Sequence, residues 1–165
     1  MRRIDHARTH ADAPWGAGST LTMKPRSFLR LFLGLLFTVT GLAKLLDNRG
    51  FAQVIASYQL GLPGLILLPF GLCISLAEVW IGTNLLRARR VRLCLWGTLL
   101  FQVGYGALAA MTLGRGIALD NCGCFGVFLA RPLRWTTVLE DAVLAAISAL
   151  CLWRSPPGRA APRRT

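Results

Sequence analysis

Four apolar runs decide what this chain can become: residues 28–46, 62–86, 93–113 and 136–153. A helix crossing a bilayer needs ~20 residues, with a range of about 17–25, so each run is long enough. The third run has no charge and the second has one, Glu78. Neither shows the polar stripe by which a helix of a soluble bundle faces water. Of the 165 residues 54% are hydrophobic and 16% charged, too little charge to solvate a soluble domain of this size. The expected fold class is therefore all-α: a polytopic membrane protein built as an up-and-down bundle of four transmembrane helices. That domain is expected over 28–153, between a basic N-terminal extension (1–27) and a disordered tail (154–165).

A net charge of +12 raises nucleic acid as a partner. The basic residues, however, lie in short clusters between the apolar runs, with no basic helix face and no aromatic stacking platform, so nucleic acid is not expected. The charge reads as topology. Fourteen of the nineteen Lys and Arg residues fall before or at the start of the first run, in "RARRVR" between the second and third, or after the fourth. The positive-inside rule then puts both termini in the cytoplasm and both long loops outside, in a bacterial inner membrane. Met23 is a second candidate start, and "GLAK" at 41–44 has residues a signal peptidase accepts; the expectation is a retained helix.

In the first outer loop Phe51, Val54, Ile55 and Tyr58 recur at helical spacing, which predicts a short interfacial helix. Pro69 sits inside the second span, where it is expected to bend the helix. Small residues let helices approach closely in lipid, and three sets are expected on packing faces: Gly34 with Gly41, Gly97 with Gly104, and Ala142 with Ala146 and Ala149. There is no internal repeat.

The stretch "DNCGCFG" at 120–126 has no counterpart elsewhere in the chain. A zinc site takes four ligands, or three and a water; the two histidines, His6 and His10, are expected on the opposite side, so no metal is assigned. A staple is a poor reading, because a Cys–Gly–Cys disulfide closes almost the smallest loop and stabilises correspondingly little. It would be strained too, since an extended chain sets these Cα atoms roughly 7 Å apart, and Gly123 must bend it. Strained, exposed disulfides are the labile ones. Electron exchange by Cys122 and Cys124 and a purely structural loop both remain open. Arg115 and Arg131 are candidates for lowering a thiolate pKa. Cys73, Cys94 and Cys151 read as small buried apolar residues.

Glu78 requires a partner, because an ionisable group in hydrocarbon is costly. Counting rise per residue from the cytoplasmic helix ends puts it ~12 Å deep and Gln102 ~13 Å deep. A Glu78–Gln102 hydrogen bond is expected, with Thr38 or Thr40 as further partners. The same count leaves Lys44 too far away, so Lys44 is expected to pair with Glu140 and Asp141, in the first turn of the fourth helix. Structural glue is one role for Glu78; a proton or quinone site is another.

Together "FLGLLFTVTGLAKLLD", "FAQVIASYQL", "LAEVWIGTNLL" and "NCGCFG" resemble the MauE/DoxX family of redox-associated membrane proteins, over roughly residues 28–153. The CGCFG segment points to its methylamine utilisation branch. The resemblance implies a four-helix membrane protein acting in maturation of periplasmic enzymes beside a thioredoxin-like partner. Within it Cys122 and Cys124 match the family's cysteine pair, and Lys44 and Glu78 its recurrent charged positions. The expected function is thiol–disulfide exchange through the outward Cys122–Cys124 pair with a periplasmic thiol protein and a client. Gly123, Phe125, Gly126, Lys44, Glu78 and Gln102 support it, and a quinone is the candidate cofactor. The rival readings are a non-catalytic membrane scaffold and a quinone-binding subunit around Glu78.

Overall fold

The computed structural model describes residues 25–154; the expected N-terminal extension, but for its last three residues, and the tail beyond Arg154 lie outside them. Five helices follow in order: α1 (Pro25–Leu46), α2 (Asn48–Ser57), α3 (Gly64–Leu86), α4 (Val91–Gly114) and α5 (Trp135–Trp153). No strand occurs among the described residues. Four of the helices are long and apolar enough to span a membrane, over 27–46, 64–86, 91–114 and 135–153. The chain is a multi-pass α-helical membrane protein.

Neighbouring spans are antiparallel. Gly34 meets Gly82 and Leu85 while Gly41 meets Ser75 and Glu78, so α1 and α3 run in opposite directions. Thr98 Oγ1 donates to Ser148 Oγ at 3.1 Å and Gly106 lies against Asp141, which sets α4 and α5 antiparallel. The pairs α1/α3 and α4/α5 pack most extensively, and α3/α4 and α1/α5 touch less. One end of the bundle thus carries the start of α1, the end of α5 and the 87–90 link. The other, the loop end, carries α2 and the 115–134 loop.

The interior inverts the pattern of a soluble protein. Ser75, Thr98, Thr112 and Ser148 are fully buried, while large apolar side chains such as Leu65, Leu100 and Leu139 face outward. With no water in the hydrocarbon layer, hydroxyls must find partners inside. Ser75 and Ser148 donate to carbonyls one turn back at 2.7 and 3.0 Å, as does Thr112 at 2.8 Å. Leu33, Phe37, Ile81, Leu85, Cys94, Leu95 and Cys151 form the core toward the end that carries the 87–90 link.

Helix packing corrects several expectations. Gly34, Gly41 and Gly97 do sit at close approaches, but a Cβ on Gly104 would meet nothing within 4 Å. Ala142, Ala146 and Ala149 are exposed; α5 instead buries Thr137, Asp141, Ser148 and Cys151. In lipid an outward alanine carries no solvation penalty, so size alone did not mark the buried face. Cys73 is exposed rather than buried, for the same reason. Glu140 and Asp141 fall beyond the first turn of α5, which begins at Trp135.

The expected short helix exists as α2. Asp47 caps it, its Oδ1 accepting from Gly50 N at 2.8 Å, and it buries Phe51, Ala52 and Ile55. Asn48 Nδ2 donates to Leu68 O at 3.2 Å, tying α2 to α3 one residue before Pro69.

Candidate functional site

The loop after α4 folds back on itself. Cys122 N donates to Arg131 O and Leu133 N to Leu119 O, both at 2.8 Å. Inside that frame Asn121 forms an Asx turn, its Oδ1 accepting from Gly123 N and its Nδ2 donating to Gly126 O, both at 2.9 Å. The turn needs left-handed backbone at Gly123 (φ +75°) and Gly126 (φ +62°), a region open to glycine at no steric cost. It brings the Cys122 and Cys124 sulfurs to 3.2 Å, S–H···S distance. Phe125 lines the cleft between α1 and α5.

Tyr58, at the end of α2, holds the turn from the other side. Its hydroxyl donates to Cys122 O at 2.7 Å, and burial raises its pKa, so it remains a donor. The Arg115 guanidinium donates to Tyr58 O and Gln59 O at 3.3 Å. Arg115 thus fixes the turn after α2 rather than the thiols.

The two sulfurs share a hydrogen bond. The hydrogen bond from Cys124 lowers the Cys122 thiol from its ordinary 9.0 to about 6, against the effect of burial and with help from the Arg131 charge. Cys124 is pushed up, first by that same hydrogen bond to Cys122 and then by burial. Of the two arginines named from sequence, Arg131 acts on the pair. It also binds Glu140, Nη2 to Oε2 at 2.6 Å, a half-exposed ion pair.

Beneath the loop lies a buried polar network. Lys44 Nζ donates to Glu78 Oε1 at 2.6 Å with both side chains almost fully enclosed. Tyr105 Oη donates to the same oxygen at 2.5 Å and accepts from Lys44 Nζ at 3.3 Å. The ammonium also stands 4.8 Å from the Tyr105 ring centroid and 5.2 Å from that of Phe51, within cation–π range. Glu78 Oε2 is buried without a hydrogen-bond partner.

This overturns the expected Glu78–Gln102 bond and the pairing of Lys44 with Glu140 and Asp141. Side chains lean toward the N-terminus of their own helix. Lys44 therefore leans from the loop end into the bundle, and Glu78, on an antiparallel helix, leans up to meet it. Gln102 leans the other way, so the residue one turn nearer the loop end, Tyr105, reaches Glu78 instead. Thr38 and Thr40 donate to their own helix, to Gly34 O and Phe37 O.

Two clefts flank the network. One, of about 370 Å³, lies between α3 and α4 and reaches Cys122, Cys124, Lys44 and Tyr105. The other, of about 670 Å³, lies between α1 and α5 and reaches Cys124, Lys44, Glu78, Gln102 and Tyr105. Of the residues named from sequence, the structure brings Cys122, Cys124, Gly123, Phe125, Gly126, Lys44, Glu78 and Gln102 into one region that runs from the loop down into the middle of the bundle. Tyr58, Tyr105 and Asn121 were missed. The spacing of Tyr58 in the α2 pattern was a signal, as was Tyr105 three residues beyond Gln102 on the same helix.

A four-span helical bundle carrying a paired-thiol loop over a buried Lys–Glu–Tyr network defines a polytopic membrane protein with a cysteine site at one end. The family model for methylamine utilisation protein MauE matches residues 22–154, and the chain belongs to that family. A methylamine utilization protein MauE of Paracoccus denitrificans is 28% identical over 120 residues, 73% of this chain and 64% of the relative's length. One from Methylorubrum extorquens is 30% identical over 135 residues, covering 82% of this chain and 72% of that protein. No solved structure matches.

Proposed function

We propose that this protein is a membrane thiol–disulfide exchange component in methylamine utilisation, serving the maturation of periplasmic proteins. The observation that carries the reading is the 3.2 Å approach of two sulfurs in a glycine-bent turn, with one thiol lowered and the other holding the shared proton. Cys122 is the nucleophile, because the thiolate is the reactive form. It attacks the disulfide of a thioredoxin-like partner, one partner sulfur leaves as thiol, and a mixed disulfide forms. Cys124 then gives up its proton, attacks Cys122 and releases the partner reduced, leaving a Cys122–Cys124 disulfide. The reverse sequence delivers electrons instead. The distribution of basic residues supports a loop end facing the periplasm of a bacterial inner membrane, with both termini cytoplasmic.

The order of attack has a direct test. A Cys124→Ser variant retains the nucleophile and loses the resolving thiol, so it is expected to accumulate mixed disulfides visible as higher-mass, reductant-sensitive species in cells. Cys122→Ser is expected to accumulate none. Trapping by Cys122→Ser alone would reverse the roles, and trapping by neither would remove the exchange reading.

The scaffold reading makes the opposite prediction. The backbone of the turn is held through Tyr58, Asn121 and the Arg131 carbonyl, by hydrogen bonds that do not involve the sulfurs, so a double serine variant is expected to keep its shape. A scaffold would retain function in that variant; an exchange site would lose it.

A further inference from the structure

The α1/α5 cleft is walled on its helical sides by Phe32, Leu36, Leu139, Val143, Leu144 and Ile147. Leu139 and Val143 are exposed on a membrane-spanning helix, so its mouth opens sideways to lipid, while the half-exposed Arg131–Glu140 pair and Asp141 form its rim toward the loop end. Its inner end is different in kind. There the wall is Lys44, Gln102, Tyr105 and Glu78, and Glu78 keeps one carboxylate oxygen unpartnered although buried. Cys124 belongs to the same wall. A volume of about 670 Å³ falls within the ~300–1,000 Å³ of small-molecule sites.

A molecule filling this space has an apolar body, polar oxygens at its inner end and access from the bilayer. Beside a thiol pair, it also has use for two electrons. Building on the exchange role above, we infer that the cleft binds a lipid-soluble quinone, which exchanges electrons with the Cys122–Cys124 pair. The balance closes: the Cys122 thiolate and Cys124 thiol form the S–S bond and release two electrons and one proton. The quinone takes both electrons, that proton and one more from the aqueous face at the loop end, and leaves as quinol. In the opposite direction quinol reduces the disulfide. Lys44 and Gln102 are the donors available to a quinone carbonyl. A lipid acyl chain could share the apolar walls, but it has no use for the polar end.

The test uses the full chain, reduced and placed in lipid nanodiscs, with ubiquinone-1 as probe. Loss of quinone absorbance is followed alongside thiol titration. Expected is one quinone reduced for every two thiols lost. Val143→Trp and Leu36→Trp, which narrow the cleft from α5 and from α1, are expected to slow the reaction about tenfold or more, as displaced reactants do. Ala146→Trp, on the outward face of α5, is expected to react as wild type. Two walls are used so that misfolding of one variant does not decide the matter; oxidised glutathione reports whether each variant's thiol pair still cycles. A pair that cycles with glutathione but leaves ubiquinone-1 untouched overturns the quinone site and leaves the exchange reading standing. Equal quinone rates in all variants overturn the assignment to this cleft. A pair that no oxidant converts to a disulfide removes the exchange reading itself.

Discussion

Gly123 decides the chemistry of the residue pair on either side of it. Its φ of +75° turns the two sulfurs toward each other, and an added Cβ would come within 2.8 Å of Val54 Cγ1. A left-handed conformation costs an ordinary residue about 1–2 kcal/mol, so Gly123→Ala is expected to part the sulfurs and return Cys122 toward ordinary thiol behaviour. The pH dependence carries the sign. Below its lowered pKa of about 6 Cys122 is protonated and unreactive; above it the thiolate persists. Alkylation of Cys122 by iodoacetamide, read peptide by peptide by mass spectrometry, is expected to rise between about pH 5 and pH 7 and then level off. In Gly123→Ala the rise moves toward pH 9; a wild-type profile that climbs only there would contradict the shared proton. The sequence announced this pair, because Cys–Gly–Cys is rare enough to notice. It also named Glu78 and Lys44, yet joined them to the wrong partners. Helical rise locates Cα atoms, whereas the pairing depends on which way a long side chain leans.

At the scale of the helices, the four spans were legible because bilayer thickness writes itself into run length. Which face of each helix is buried was far less so. In a soluble protein, polarity separates inside from outside; here both are apolar, and small residues occur on each. The discriminating feature is backbone approach. A Cβ on Gly82 would stand 2.5 Å from Thr38 N and 2.7 Å from Gly34 O, atoms of a rigid neighbouring helix. Gly82→Ala is therefore expected to push α1 and α3 apart at a cost of about 1–3 kcal/mol, the range for overpacking. Gly104→Ala, with open space around it, is expected to be neutral. Thermal unfolding of the two variants in one detergent provides the comparison, and equal losses would show that the α1/α3 contact is looser than described.

Over the whole molecule, Lys44, Glu78 and Tyr105 tie α1, α3 and α4 together at one point. Removing one partner of a buried ion pair leaves an uncompensated charge, at about 3–5 kcal/mol, whereas replacing both with apolar side chains is often far milder. Lys44→Met and Glu78→Leu are each expected to destabilise strongly and the double variant to recover much of the loss. Additive losses in a double-mutant cycle would contradict the pairing. The cysteine loop belongs to the α4/α5 half, while Tyr58 and Lys44 come from the α1–α3 half. Along the chain the halves are connected only by the link 87–90, at the far end of the bundle. Severing the chain there leaves two hairpins, neither able to assemble the thiol centre by itself. Co-expressed, they should regain it by finding each other in the bilayer. During synthesis the same division applies: until the second hairpin has docked on the first, the nascent chain carries Cys122 and Cys124 without Tyr58 and Lys44 beside them, so the exchange role proposed above would have to wait for the completed bundle.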